Sequence, residues 1–425
     1  MKKQAIKPKR PVHKQRYSKP SGQSGLSRFW INQNDILSFL NSALLFLFIF
    51  LLPTQLGKHF FFSFSYLSGV RIDYLAPTIY ITDILVLALF LLNYKRILSF
   101  FKNKTLLFTL FLLIAGVVFA ISKEIAMYRY IKIIELIIVF ALFKKLKIDK
   151  KILAFGFVIA SFFEFVLVVL QFVNKHSLQG IFYFFGERYL SLSTPGIAKA
   201  SLQGVEFLRP YGTFSHPNSM AGFFLLLYTF VLTSTFFSPV FRKIILLLSG
   251  IIIFFSFSKI AILGFLVINL IFILKNKKNV SCLPCVLSEI TIFAVLSLIF
   301  LTAKTDPTSI QKRLNLLQSS LGIISRYPVT GVGLGNYLIV ENKINLRSLF
   351  PFQPVHNIFL LFFAEVGIIL GGFIMFNLYK YFKNKFSSFP FLLCLTSIVI
   401  TGLFDHYWWS LQQNWILMGV VFGLL

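Results

Sequence analysis

Apolar residues in this chain come in unbroken runs rather than in stripes. About twelve can be counted, at roughly 36–53, 78–94, 105–121, 128–143, 152–173, 217–237, 242–257, 259–274, 285–303, 356–377, 388–404 and 412–425. Most approach the ~20 residues a bilayer-spanning helix needs. They are too long and too uniformly apolar for barrel strands, so the pattern predicts helices. Gly and Pro gather at run ends and in the connections, and there is no repeat of fixed period. The expected fold is all-α: a polytopic integral membrane protein of about 12 transmembrane helices with two large extracytoplasmic loops, at about 174–216 and 304–355. Residues 31–425 read as a single domain. Residues 1–30 read as a disordered basic tail, from stretches such as Lys7 to Pro11 and Ser18 to Ser27.

Composition agrees. The chain is 57% hydrophobic and only 13% charged, with 54 Phe and a mean hydropathy of +0.79, more apolar surface than a soluble domain can hide. The net charge of +28 resembles a nucleic-acid signature until it is mapped. With the N-terminus inside, nine Lys/Arg fall in residues 1–28, four in 93–104 and five in Lys144–Lys151. Two more are Arg242 and Lys243, three lie in Lys275–Lys278 and three in Lys380–Lys385. Every short inner connection is therefore basic, which is the positive-inside pattern. The tail reads as an orienting, headgroup-binding segment, with no nucleic-acid partner expected. No small-residue cleavage site follows the first run, so that run is expected to be a retained anchor. Both termini are expected to be cytoplasmic and the protein to lie in the cell (inner) membrane.

Two short polar motifs then stand out, each opening an apolar run that descends from the outer face. One is Arg209-Pro210-Tyr211-Gly212-Thr213-Phe214-Ser215-His216-Pro217-Asn218, the other Pro354-Val355-His356-Asn357. Ionisable groups at the mouth of a helix bundle cost free energy unless paired or used. Ser215 and Pro217 suit an N-cap and first turn, where Asn218 could bond free amides. Arg209 with those amides makes a phosphate clamp; the competing reading is an arginine that anchors a loop to lipid phosphates. Ser309 to Tyr327 predicts an amphipathic helix, with Ile310, Leu314, Leu317, Leu321 and Ile324 at helical spacing and Lys312 and Arg313 on its more polar side. It is expected to rest in the outer interface. The Gly331/Gly333/Gly335 stretch lacks the Gly-Lys-Ser/Thr ending of a P-loop and reads as a tight turn that lets the loop fold over the site.

His356 is the side chain best suited to proton transfer, with a water-satisfied interfacial histidine as the alternative. His216 and His406 compete with it. Asp405-His406 could be an orienting pair, although Tyr407-Trp408-Trp409 beside it reads as an aromatic belt. Glu135, Glu164 and Glu365 are intramembrane carboxylates; Lys132 and Glu135 stand at i,i+3 and can pair, and the others leave transport or helix pinning open. No Asp-x-Asp pair occurs and the acids are scattered, so no metal site and no cofactor are expected. Cys282 and Cys285 have no second Cys/His pair, and Cys394 lies inside a run; core packing is the better reading for all three.

On these residues the chain resembles the O-antigen ligase and O-antigen polymerase superfamily. Arg209 to Asn218 is similar to that family's Arg-x-x-Gly-x-Phe-x-His-Pro-Asn segment, and Arg313 through Pro328 to Asn336 to its large outer loop. His356-Asn357, nine residues and Gly367 resemble the ligase signature. The next glycines are Gly371 and Gly372, and the ligase's following Gly-Thr-Thr pattern is absent. The resemblance implies a membrane glycosyltransferase of polysaccharide biosynthesis in the cell envelope. It would move a glycan from an undecaprenyl-diphosphate-linked donor to a glycan, lipid or protein hydroxyl at the outer face, without metal and with inversion. It assigns Arg209 and Arg313 to the diphosphate and His356 to the base; His216, Asn218 and Asn357, beside them in the two motifs, are expected to bind substrate. The alternative from a different class is a secondary membrane transporter of a small anion, whose sites would lie at the midplane of paired halves.

Overall fold

The computed structural model describes residues 33–194, 196–202, 204–276, 294, 298, 309–344 and 352–425. It is mostly helical, as the runs predict, with three small two-stranded antiparallel sheets. The helices are α1 (Gln33–Phe50), α2 (Ile81–Leu98), α3 (Lys104–Val118), α4 (Lys123–Lys145), α5 (Lys150–Asn174), α6 (Pro217–Thr233), α7 (Pro239–Phe255) and α8 (Lys259–Asn276). After the second large loop begins come α9 (Ser309–Arg326), α10 (Tyr337–Ile344), α11 (Ile358–Val366), α12 (Ile368–Phe382), α13 (Phe389–Gly402), the single turn α14 (Tyr407–Ser410) and α15 (Gln412–Leu424).

Their ends are written in local chemistry. Asn103, Ser122, Asp149 and Ser238 cap α3, α4, α5 and α7 by accepting a backbone N–H of the first turn. Lys144 and Lys145 occupy the last turn of α4, where the helix dipole favours cations. Helix α6 is buried from Pro217 to Val231 on all sides, which is what an all-round apolar sequence requires. It is the axis of the bundle: α7, α8, α13 and α15 pack around it, while α1 and α2 lean on α5 and α4.

By length and composition α5 and α8 can each cross a membrane, and α11 with the helix after it makes a third candidate, bent by 116°. Several further helices are apolar but shorter: Ile36–Phe50, Lys104–Val118, Pro217–Thr233 and Phe389–Gly402. The run at 356–377 is thus not one straight helix. It breaks at Gly367, whose φ of +82° suits a residue without Cβ. The glycine-rich turn explains the break. Val332 and Gly333 donate backbone N–H groups to the carbonyls of Ala364 and Glu365 at 3.0 and 2.9 Å, and a Cβ on Gly331 would lie 2.5 Å from the Gly367 nitrogen. The turn wedges into the helix break. The run at 285–303 lies almost wholly, and Cys282 and Cys285 wholly, outside the described residues; Cys394 is buried in α13, a core position as expected.

One sequence expectation changes here. Tyr407 and Trp408 do not form an interfacial belt: both are buried, and Trp408 Nε1 donates to Thr401 Oγ1 at 2.8 Å. Tyr407 packs over Gly222 of α6, where no Cβ would fit. Helix α9 forms as predicted, with Ile310, Leu314, Leu317 and Leu321 exposed and Leu316, Ser320 and Ile323 on its packed face. The buried carboxylates are pins. Glu164 of α5 accepts from Thr213 N at 3.1 Å and from the Thr213 hydroxyl. Lys132 pairs with Asp83 and with Glu135 at 3.2 Å, and Glu365 accepts from Trp409 Nε1 at 2.8 Å.

Candidate functional site

The two sequence motifs meet at one end of the bundle, and the residue that joins them is Asp405. The loop after the strand Val205–Leu208 delivers Arg209 onto the mouth of α6. Gly212 makes that approach possible: its φ is +59°, and a Cβ there would collide with the Glu164 carboxylate. Arg209 is buried; its Nε donates to Ser256 O at 2.9 Å and one terminal nitrogen to Asn218 Oδ1 at 2.6 Å. Its other terminal nitrogen makes no hydrogen bond among the described residues. Asn218 passes the link on, donating Nδ2 to Asp405 Oδ2 at 2.8 Å. The helix cap is His216, not Ser215: Asn218 N donates to His216 Nδ1 at 3.2 Å. The Ser215 hydroxyl has no partner among the described residues, and the Asn218 side chain bridges two charged groups rather than free amides.

Asp405 stands in the connection from α13 to α14, and its carboxylate faces three imidazoles. His356 Nδ1 lies 3.5 Å from Oδ1, an ion-pair distance longer than a hydrogen bond, and His406 Nε2 lies 4.0 Å from the same oxygen. The His406 backbone N–H donates to Oδ1 at 2.8 Å, and the ring's Nδ1 meets Ser410 Oγ at 2.7 Å. Burial pushes the Asp405 carboxyl upward, but the imidazoles of His356, His406 and His216 outweigh it and hold the acid well below its usual range. Burial lowers the His406 imidazole to about 4, with Asp405 pulling the other way, and it lowers half-buried His216 in the same sense. Burial also brings Arg209 down to about 10, still fully cationic at neutral pH.

The other candidates fall into place around this line. Asn357 caps α11, accepting from Phe359 N and Leu360 N at 2.9 and 3.1 Å and donating to Leu403 O at 3.1 Å. It fixes the residue after His356 against the strand of chain that carries Asp405. Arg313, half-buried on α9, makes no hydrogen bond or ion pair among the described residues, and its charge acts on both Arg209 and His406. His356, Asp405 and His406 are also the one grouping among the described residues whose ligand atoms lie close enough, within 4.8 Å, to hold a metal ion. The sequence hides that trio because 48 positions separate His356 from Asp405.

Sequence reasoning missed Arg129. From α4 it donates to the backbone carbonyls of Ser410 at 3.2 Å and Tyr74 at 3.3 Å, and so holds the turn on which His406 sits. Nothing in its neighbourhood of the chain marks it; a lone arginine one turn into an apolar helix was the available signal.

No curated protein and no solved structure matches this chain. A family model described as O-antigen ligase matches residues 244–376, a stretch that contains Arg313, the glycine-rich turn, His356 and Asn357. Over that stretch the chain is similar to the O-antigen ligase/polymerase superfamily, a family of membrane proteins, and the match supports the resemblance that the sequence motifs carry.

Proposed function

We propose that this protein transfers a glycan from an undecaprenyl-diphosphate-linked donor to an acceptor hydroxyl at the outer face of the cell membrane, without metal and with inversion. The observation that carries the reading is the continuous polar line Arg209–Asn218–Asp405–His356, assembled from three distant segments at one end of the bundle. In this scheme the acceptor O–H attacks the anomeric carbon from the face opposite the diphosphate. His356 takes the proton on Nε2 while Nδ1 faces the Asp405 carboxylate, which orients the ring and stabilises the imidazolium as it forms. The anomeric C–O bond breaks with its electron pair passing to the diphosphate. Arg209 and Arg313 receive that charge as fixed cations in a water-poor site.

Asn218 and Asn357 act as positioning residues, the first coupling the arginine to the acid and the second fixing the His356 backbone. His216 closes the mouth of α6 beside them. Twelve spans with both large loops outside, both termini inside, and the tail 1–30 apart from a single domain 31–425 complete the proposal. It is tested by deleting and restoring the gene and identifying which acceptor loses and regains its glycan. An unchanged surface glycan, with no lipid-linked donor accumulating, would remove it.

A further inference from the structure

Beside the polar line lies a cleft of about 710 Å³ that meets the sequence motifs only at Ser215, within the range of roughly 300–1,000 Å³ that ligand sites occupy. Its walls come from the segment between α1 and α2, from the loop after α5 and from α4, and it opens onto Ser215, Tyr74 and Ser410. The last two border His406, at 5.7 Å between the Tyr74 and His406 rings and 2.7 Å from Ser410 Oγ to His406 Nδ1. Whatever fills the cleft therefore ends beside the catalytic cluster.

The charge of the walls is lopsided. Lys58, Arg71, Arg129, Lys132 and Arg188 line them, against Asp73 and Glu187. Lys132 is neutralised from behind by Asp83 and Glu135. Glu187 is spent inward, accepting from Gln171 Nε2 and Leu178 N, both at 2.8 Å, and from Gln179 N. Arg71 and Arg188 share the single carboxylate of Asp73, at 3.4 and 3.5 Å. Lys58 has no carboxylate partner among the described residues, and Arg129, at the deep end, is held only by two carbonyls. Cations thus exceed the acids available to them. Alongside them Tyr183, Phe184 and Tyr189 stand on the wall 60–73% exposed. Large exposed aromatics beside unpaired cations suit flat, partly apolar ligand faces that carry negative charge.

We propose that this cleft binds the acceptor of the transfer reaction and that the acceptor is an acidic saccharide, bearing carboxylate or phosphate, with sugar faces on Tyr183, Phe184 and Tyr189 and its anion nearest the reaction on Arg129. The assignment rests on the glycan-transfer reading above, and it names the substrate that reading leaves open. A second source of the same anionic chemistry is the donor diphosphate, so the experiment separates the two.

Full-length protein in nanodiscs of zwitterionic lipid is titrated with hexagalacturonate, with neutral maltohexaose and with farnesyl diphosphate as a diphosphate probe. The three exposed cations are removed together as Lys58→Gln, Arg71→Gln and Arg188→Gln, which touches no buried contact. The cleft reading predicts that wild type binds hexagalacturonate well above maltohexaose and that binding weakens as salt rises. The triple variant should lose about tenfold in affinity for hexagalacturonate while farnesyl diphosphate binds as before. Equal binding of the acidic and neutral hexamers, or an unchanged triple variant, overturns the proposal. Loss of farnesyl diphosphate binding in the triple variant assigns the cleft to the donor and overturns it too. Because transfer is not measured, each of these failures leaves the transfer reading standing.

Discussion

Replacing Asp405 by Asn removes one charge and almost no volume, and its cost can be worked from the site. The carboxylate lies 3.5 Å from His356 Nδ1. Two unit charges at that separation and an effective dielectric constant near 20 interact by about 5 kcal/mol. If His356 becomes an imidazolium in the transition state, that attraction is realised only there. At 1.36 kcal/mol per decade it sets a ceiling of roughly three and a half decades in rate. The ring is 19% exposed, so solvent takes back a part and a loss of about 10²–10³ is expected. The assay is single-turnover transfer in proteoliposomes, comparing wild type, Asp405→Asn, His356→Ala and the double variant. In the His356→Ala background the second change should cost little, because the charge has nothing left to stabilise. An Asp405→Asn loss that is the same size in both backgrounds would refute the coupling, and so would a loss under threefold in wild type. Elution of each variant as a single detergent-solubilised species separates chemistry from misfolding.

Arg209→Lys should retain little activity, because one ammonium cannot span Ser256 O and Asn218 Oδ1 and still face a phosphate; a variant above a tenth of wild-type rate contradicts the clamp. Transfer by wild type should survive EDTA, and chelator-sensitive activity restored by magnesium would sink the arginine-only account. Stability should fall on acidification: the His406 pKa is about 4 when folded and about 6.5 when unfolded, so between those values the unfolded chain binds the extra proton. The loss approaches about 1.4 kcal/mol per pH unit in that window and is absent above it, with Asp405 adding to it only below its unfolded value near 4. Thermal unfolding from pH 7.5 to 4.5 checks this, and His406→Asn should reduce the slope to the part that His216, lowered by burial in the same sense, still carries. For topology, an impermeant thiol reagent should label Ser191→Cys but not Asp149→Cys in intact cells; labelling at Asp149 reverses the orientation and moves the site to the other face.

The helices were legible because continuous apolar runs leave few alternatives, and most boundaries fell within a few residues of the caps that Asn103, Ser122, Asp149 and Ser238 supply. The break at Gly367 was not, since a positive φ depends on the glycine-rich turn that packs against it from a distant part of the chain. Arg209, Asn218 and His356 were found from their setting at helix mouths, where buried polarity is costly. Their partner Asp405 is masked in the sequence by Tyr407, Trp408 and Trp409, which resemble an interfacial belt, whereas in the fold Tyr407 packs on Gly222. The cleft left no trace in periodicity. Its cations sit in strands of two or three residues and at isolated positions, brought together only by tertiary contact.

The central claim is that His356 acts as the base of a glycan transfer. The measurement closest to it is reconstitution in liposomes with lipid-linked donor and candidate acceptors, following both donor binding and product for wild type and His356→Ala. The account predicts that the variant still captures the donor while product formation falls by about 10²–10⁴-fold, and that cells carrying it accumulate lipid-linked glycan. Equal transfer rates for the two proteins would contradict it and pass the role to His216 or His406.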